Sequence, residues 1–255
     1  MKLGLIADKT EIAHDSYVKL VENYSFIEDE KKLKKVDCIV VLGGDGFMLH
    51  SLHKFMDLKI PFYGMNCGTI GFLLNEFSVE QLNTRIKKAK ESKISPLSMH
   101  AVDIDGIVYD ALAFNEVSLL RETKQSTNIE IQIDGKTKIN SLVGDGILVA
   151  TPAGSSAYNF SVRGPIIPLG YDLLALTPIS PFRPRGWRGA LLPGKTEFNF
   201  IIKNAHKRPI SVVADFFEYR NVKTVLVKRN EEQTVTLLFD HRNPLEDKLI
   251  TEQFL

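Results

Sequence analysis

Residues 39–49 read I-V-V-L-G-G-D-G-F-M-L. No polar residue interrupts the apolar run at its start, so the strand it forms has no face for water. A strand buried on both faces belongs inside a sheet covered by helices, and such sheets are mostly parallel. The run ends in three glycines around one carboxylate, and residues 47–55 resume with apolar positions at helical spacing. Strand, glycine turn and helix in that order put the turn at a strand's carboxyl end, where open α/β sheets bind ligands.

The surrounding sequence has the same texture. Residues 3–7 and 60–63 are short apolar runs, and residues 10–24 place Ile12, Tyr17, Leu20, Val21 and Tyr24 near a helical period. Residues 80–90 align Leu82, Ile86 and Ala89 as a helix, and the charge-rich residues 28–35 read as a solvated helix face. A second glycine-rich turn, G-M-N-C-G-T-I-G-F-L, follows the run at 60–63. After Pro96 the pattern changes to apolar–polar alternation, as in I-E-I-Q-I-D-G-K-T-K-I, with a D-G hairpin signal at 134–135. The expectation is an α/β N-terminal domain with a mostly parallel sheet over residues 1–96. An all-β, antiparallel, sandwich-like domain follows over residues 97–240. A helix over residues 241–255 is expected to return to the first domain. No repeat or low-complexity segment interrupts this division.

Lys+Arg total 32 and Asp+Glu 31, a net charge of +1, which favours neither a nucleic-acid nor a membrane partner. Cys38 and Cys67 lack a CxxC partner, so neither a disulfide framework nor a zinc ribbon is expected. The opening M-K-L-G-L-I-A-D turns charged too soon for a signal peptide, and no apolar stretch reaches membrane-span length. A reducing, cytoplasmic location is the expectation.

A tight turn accounts for the glycines of G-G-D-G but not for Asp45. One reading makes Asp45 the N-cap of the next helix. The other gives it chemistry: glycine N–H groups cradle a phosphate, and the carboxylate accepts the proton of a hydroxyl under phosphorylation. The turn matches neither a Walker A loop nor a G-x-G-x-x-G fingerprint. Two further signals lie downstream. Asn115-Glu116 sets an amide beside a carboxylate, a pair able to read ribose hydroxyls or a base edge. Residues 144–168 hold a second G-D-G, a strand, and the loop T-P-A-G-S-S-A-Y. In that loop small residues admit a flat ligand, Ser155 and Ser156 donate, and Tyr158 stacks or hydrogen-bonds.

Taken in order, the G-G-D-G turn, N-C-G-T-I-G-F at 66–72, Asn115-Glu116, G-D-G at 144–146 and residues 151–165 resemble the NAD kinase family of bacterial type. The resemblance implies phosphorylation of the adenosine-ribose 2′-hydroxyl of NAD, with ATP or polyphosphate as donor and a divalent cation, Mg2+, accompanying ATP. It makes Asp45 the catalytic proton acceptor, with Gly44 and Gly46 lining the phosphate path. It puts Phe72 on the adenine side, and Asn115 and Glu116 on ribose and nucleotide groups. Ser156, Ala157, Tyr158 and Ser161 would line the adenine pocket, and Asp145 would face the nicotinamide half. It also implies a homo-oligomer, a dimer or tetramer, in which Asp215 reaches a neighbour's site. No protein-held metal is implied. The chain departs from the family's commonest pattern at Phe47, Ala153, Ser156 and Arg163, where Thr or Ser, Thr, Thr, and a small residue are usual; Ser156 keeps the hydroxyl and Ala153 does not. Phe47 removes a hydroxyl near the phosphates, which bears on donor choice.

Three signals are set aside. His50 and His53 share a helix face but have no carboxylate at adjoining spacing, so they read as packing or surface residues. The lysines at 31, 32, 34 and 35 read as solvated charge. Residues 180–189, S-P-F-R-P-R-G-W-R-G, read equally as an anion-binding arginine loop or a proline-rigid connector. Two other functions are compatible with parts of the sequence: a lipid or diacylglycerol kinase sharing the glycine turn, and a non-catalytic dinucleotide sensor.

Overall fold

The computed structural model describes residues 1–68 and 71–240. The helix expected over residues 241–255 lies outside the described residues. The described residues divide into two compact units, one drawn from residues 1–94 with 233–240, and the other residues 95–232.

The first unit is built on one sheet, ordered Phe26–Ile27, Leu3–Ala7, Cys38–Gly43, Phe62–Asn66, Val235–Phe239, Lys90–Ile94, with Asn75–Glu76 paired beside Phe62–Asn66. All its pairs are parallel except that of Val235–Phe239 with Lys90–Ile94. Every residue of Cys38–Gly43 is buried, as an uninterrupted apolar run requires. Cys38, Val40 and Leu42 share a core with Ala13 and Leu20 of the helix Glu11–Val21 and with Leu82 and Ile86 of the helix Leu82–Lys88. Thr10 caps the first of these helices by accepting the Ala13 N–H. Residues 30–35 form a 3₁₀ helix with only Leu33 buried, in line with a solvated face.

Two expectations fail here. Residues 234–239, T-V-T-L-L-F, fall within the range expected to be all-β, yet they supply a strand of the first unit's sheet, Val235–Phe239, parallel to Phe62–Asn66 and antiparallel to Lys90–Ile94. Its Leu237, Leu238 and Phe239 are all buried, which marks a strand covered on both faces rather than a sandwich strand. The helix expected to reach residue 90 ends at Lys88, because Lys90 already pairs with Phe239.

The second unit holds two six-stranded sheets whose pairs are all antiparallel. Their inner faces meet in a core that includes Met99, Ile131, Phe198, Phe200 and Val225 from one sheet and Val117, Leu119, Ile147, Val149 and Val212 from the other. At the D-G hairpin Asp134 and Gly135 both have positive φ, 50° and 73°, the geometry that joins Ile129–Ile133 to Lys136–Leu142. Gly146–Ala150 is buried on both faces. Ile147 and Val149 enter the sandwich core, while Leu148 and Ala150 pack beneath Ile167, Tyr158 and Val162. This strand is the floor on which residues 151–168 fold.

Candidate functional site

In the first unit, Gly43 and Asn66 end adjacent parallel strands and are paired in register, so the two glycine turns emerge side by side. The helix Asp45–Phe55 starts at once, with Gly44 as its N-cap at φ −100° and no side-chain cap bond. Asp45 is the first helical residue, so the capping reading was off by one position. Its carboxylate reaches across to the second turn instead. Oδ2 accepts the Phe72 N–H at 2.8 Å, and Oδ1 accepts the Leu73 N–H at 2.9 Å. The second turn is also held by the Cys67 N–H on Gly43 O at 3.0 Å and the Gly68 N–H on Asn66 Oδ1 at 3.0 Å. Asp45 therefore clamps one glycine turn onto the other, a structural role the sequence reading missed.

The glycines also need reassigning. Neither Gly44 nor Gly46 has positive φ, and a Cβ at either would meet no atom within 4 Å. Turn conformation does not require them; the space beside them is open to a ligand. Gly43 is different, because a Cβ there would lie 2.9 Å from the Phe47 side chain. Phe47 thus lies over the strand's end. The first four N–H groups of the helix lack intrahelical acceptors, which makes its N-terminus suited to an anion.

In the second unit the Asn115-Glu116 motif forms the corner where the chain leaves Val108–Ala113, in one sheet, for Glu116–Arg121, in the other. Its backbone is held on every side. Asp215, at φ 53° in the turn between Ile210–Ala214 and Phe217–Tyr219, accepts the N–H groups of Phe114 at 2.7 Å, Asn115 at 2.9 Å and Glu116 at 3.3 Å. Thr151 donates its hydroxyl to Phe114 O at 2.6 Å and its N–H to Asn115 O at 2.9 Å. Gly154 passes so close that a Cβ would fall 2.2 Å from Asn115 O. Asn115 and Glu116 are themselves half-buried. Asn115 Oδ1 and Glu116 Oε2 are buried and have no hydrogen-bond partner. Burial, reinforced by the Asp215 charge, pushes the Glu116 carboxyl up to about 8.

The loop after Ala150 divides its polar groups between scaffold and surface. Ser155, expected to donate to a ligand, is wholly buried: its hydroxyl lies 2.7 Å from Pro152 O and accepts the Ile167 N–H at 2.9 Å. Asn159, which the sequence reading passed over, pins the loop. Its Nδ2 donates to Ser155 O at 3.1 Å and Pro165 O at 2.9 Å, and its Oδ1 accepts the Thr177 hydroxyl at 2.6 Å. Ser156, Ala157 and Tyr158 remain half-buried, and Ser161 is exposed. The Tyr158 hydroxyl is raised above its ordinary range, first by burial and then by the charges of Glu116 and Asp145. Tyr158 and Asp145 also line a cavity of about 520 Å³ with Leu120, Arg121, Thr123 and Ile179. Arg121 Nε donates to Asp145 Oδ1 at 2.5 Å, a partner no spacing rule indicated. The glycines of the second G-D-G serve packing, since a Cβ at Gly146 would fall 2.0 Å from Leu119 O.

The family comparisons agree with this geometry. Residues 8–94 match the model of the ATP-NAD kinase N-terminal domain, and residues 114–215 match that of the ATP-NAD kinase C-terminal domain. The chain belongs to the NAD kinase family. It is 43% identical over 253 residues to the NAD kinase of Rickettsia bellii, covering 99% of this chain and 98% of the relative. It is 45% identical over 253 residues to that of Xylella fastidiosa, covering 99% and 96%. Among solved structures the fold is similar to yeast NADH kinase complexed with NADH, with TM-score 0.83, 20% identity and coverage of 100% and 87%. It is also similar to an NAD kinase from Archaeoglobus fulgidus in complex with ATP, with TM-score 0.76, 24% identity and coverage of 99% and 98%. Membership in this family sets aside the lipid-kinase reading. Among the described residues no helix is long and apolar enough to cross a membrane.

Within the first unit the structure brings together Asp45, Phe72 and the open face of Gly44 and Gly46. Within the second it brings together Asn115, Glu116 and Asp215, with Tyr158 and Asp145 alongside. Residues 180–189 contain Arg183 and Arg185 packed over Phe182, and Arg183 bridges to Val143, so the loop is tied to its own unit's sheet.

Proposed function

We propose that the protein transfers the γ-phosphoryl group of ATP to the 2′-hydroxyl of the adenosine ribose of NAD, producing NADP. The observation that carries this reading is the Asn115-Glu116 corner. A rigid backbone there presents two buried polar atoms without partners, an arrangement that is costly unless a ligand completes it. A nucleoside's hydroxyls supply the missing bonds. In the first unit, the helix N-terminus beside Gly44 and Gly46 suits the triphosphate. Asp45 is the proton acceptor. Its oxygens accept the Phe72 and Leu73 N–H groups, which fix the carboxylate's orientation at the start of the helix beside Gly44 and Gly46.

The divalent cation, Mg2+, enters with ATP. This chain's part is to bind the phosphates at the helix N-terminus beside Gly44 and Gly46. Polyphosphate is the other donor to test, because Phe47 leaves no hydroxyl at that position of the turn. A dimer or tetramer belongs to the same proposal. Phe216 and Phe217, with tilted rings 4.6 Å apart between centroids and both exposed on the Asp215 turn, support a subunit contact there, and a monomer in sedimentation at assay concentration would refute it.

The test is NADP formation from NAD with Mg-ATP, and separately with polyphosphate, read by an NADP-specific dehydrogenase. Wild type is expected to form NADP, and Asp45→Asn to bind NAD but form almost none. No NADP with either donor, in protein that still binds NAD, would leave the sensor reading standing instead.

A further inference from the structure

Asp215 holds the backbone of the Asn115-Glu116 motif and brings a second carboxylate to a corner that already buries one. Its oxygens accept the N–H groups of residues 114, 115 and 116 at 2.7, 2.9 and 3.3 Å. Glu116 Oε2 is buried there without a partner. The charge bearing on Glu116 is that of Asp215. The Tyr158 hydroxyl, from the helix Tyr158–Ser161, also feels Glu116 and Asp145, and Asp145 is itself paired with the Arg121 guanidinium. The neighbouring strand partners, Ala150 and Ala214 with Val117, contribute no charge.

We propose that Glu116 holds a proton in the unliganded protein, that Asp215 is the positioning residue that keeps it there, and that the dinucleotide binds this protonated form. An unpaired buried carboxylate beside a second one is disfavoured by desolvation and by like-charge repulsion. Once protonated, Glu116 offers an O–H donor next to the Asn115 Oδ1 acceptor, which matches the mixed donor and acceptor character of ribose hydroxyls. A neutral Glu116 also presents no extra negative charge to an anionic dinucleotide. The corner is therefore proton-linked. Raising the pH through the Glu116 titration, at about 8, removes the binding-competent form. Above that point affinity declines by about tenfold per pH unit, as expected when only one protonation state binds.

The inference rests on NAD as the ligand, so the experiment has one arm with NAD and one without. In the first, NAD affinity is measured by calorimetry from pH 6 to 9.5 for wild type, Glu116→Gln and Asp215→Asn, each checked by thermal melting. Wild type is expected to bind evenly below about pH 7 and roughly fivefold more weakly at pH 9 than at pH 8. Glu116→Gln is permanently neutral at this position and is expected to show no decline. Asp215→Asn is expected to begin its decline at lower pH, because the repelling charge is gone. A structural role for Asp215 alone would weaken binding without moving that midpoint. Affinity that is flat or rising with pH in wild type, or a decline retained in Glu116→Gln, overturns the proposal.

The second arm is an infrared difference titration of the ligand-free protein. It is expected to show a protonated carboxyl stretch that disappears between pH 7 and 9.5 in wild type and is missing in Glu116→Gln. Its absence from wild type at pH 7 overturns the proposal whether or not NAD binds. Absence of NAD binding at every pH, with that band present, counts against the NAD reading and not against the protonated carboxyl.

Discussion

Asp45→Asn is the variant any test of the reaction would use first, and the structure predicts that it does more than remove a base. The carboxylate accepts two backbone N–H groups, at 2.8 and 2.9 Å, from the turn that follows Phe62–Asn66. Hydrogen bonds to a charged acceptor are worth about 1.5–3 kcal/mol each. An asparagine keeps one oxygen, loses the charge, and sets its own NH2 against one of the two donors. The expected loss is about 2–4 kcal/mol, carried by the hold on the second turn. The direct assay is native-state amide exchange at Phe72 and Leu73. Loosening of that size corresponds to roughly 30- to 1,000-fold faster exchange at those two amides. Rates within threefold of wild type at both would refute the clamp. The kinetics then separate the two roles. Loss of the proton acceptor lowers kcat with KM held, whereas a loosened turn raises KM.

Other changes discriminate between scaffold and site. Gly154→Ala puts a Cβ 2.2 Å from Asn115 O, so a loss of about 3 kcal/mol or more in urea unfolding is expected, with NAD binding abolished. Gly46→Ala meets nothing within 4 Å in a helix's first turn; stability is expected to hold or rise by up to about 1 kcal/mol while KM for ATP increases. Arg85→Met leaves Asp240, which accepts from Arg85 at 2.5 Å and from Tyr63 at 2.7 Å, as a largely buried charge with its cation removed. A urea-unfolding loss of about 3 kcal/mol is expected, since breaking one side of a buried pair is costly. An unchanged midpoint would show that water replaces the guanidinium there.

The sequence by itself determined the elements whose burial is written in their own residues. The apolar run Cys38–Gly43, buried throughout, could only be a central strand. The alternation beyond residue 97 could only be antiparallel β structure, and Asp134-Gly135 could only be a tight hairpin. The ordered motifs likewise marked the family and its glycine turns. Tertiary structure decided whatever depends on which distant segments meet. Val235–Phe239 has the composition of either unit, and only pairing with Phe62–Asn66 and Lys90–Ile94 places it in the first. The glycines of the two G-D-G turns look alike in sequence, yet Gly46 faces open space while Gly146 is pressed against Leu119 O. Asp45 and Asp215 are each a lone carboxylate in the sequence. Each becomes the clamp of a turn or corner 27 or about 100 residues away. A local pattern can specify burial and turn conformation because both act within a few residues. Hydrogen-bond partners and neighbouring charges are set by through-space distance, and those distances arise only when the sheets bring the turns together.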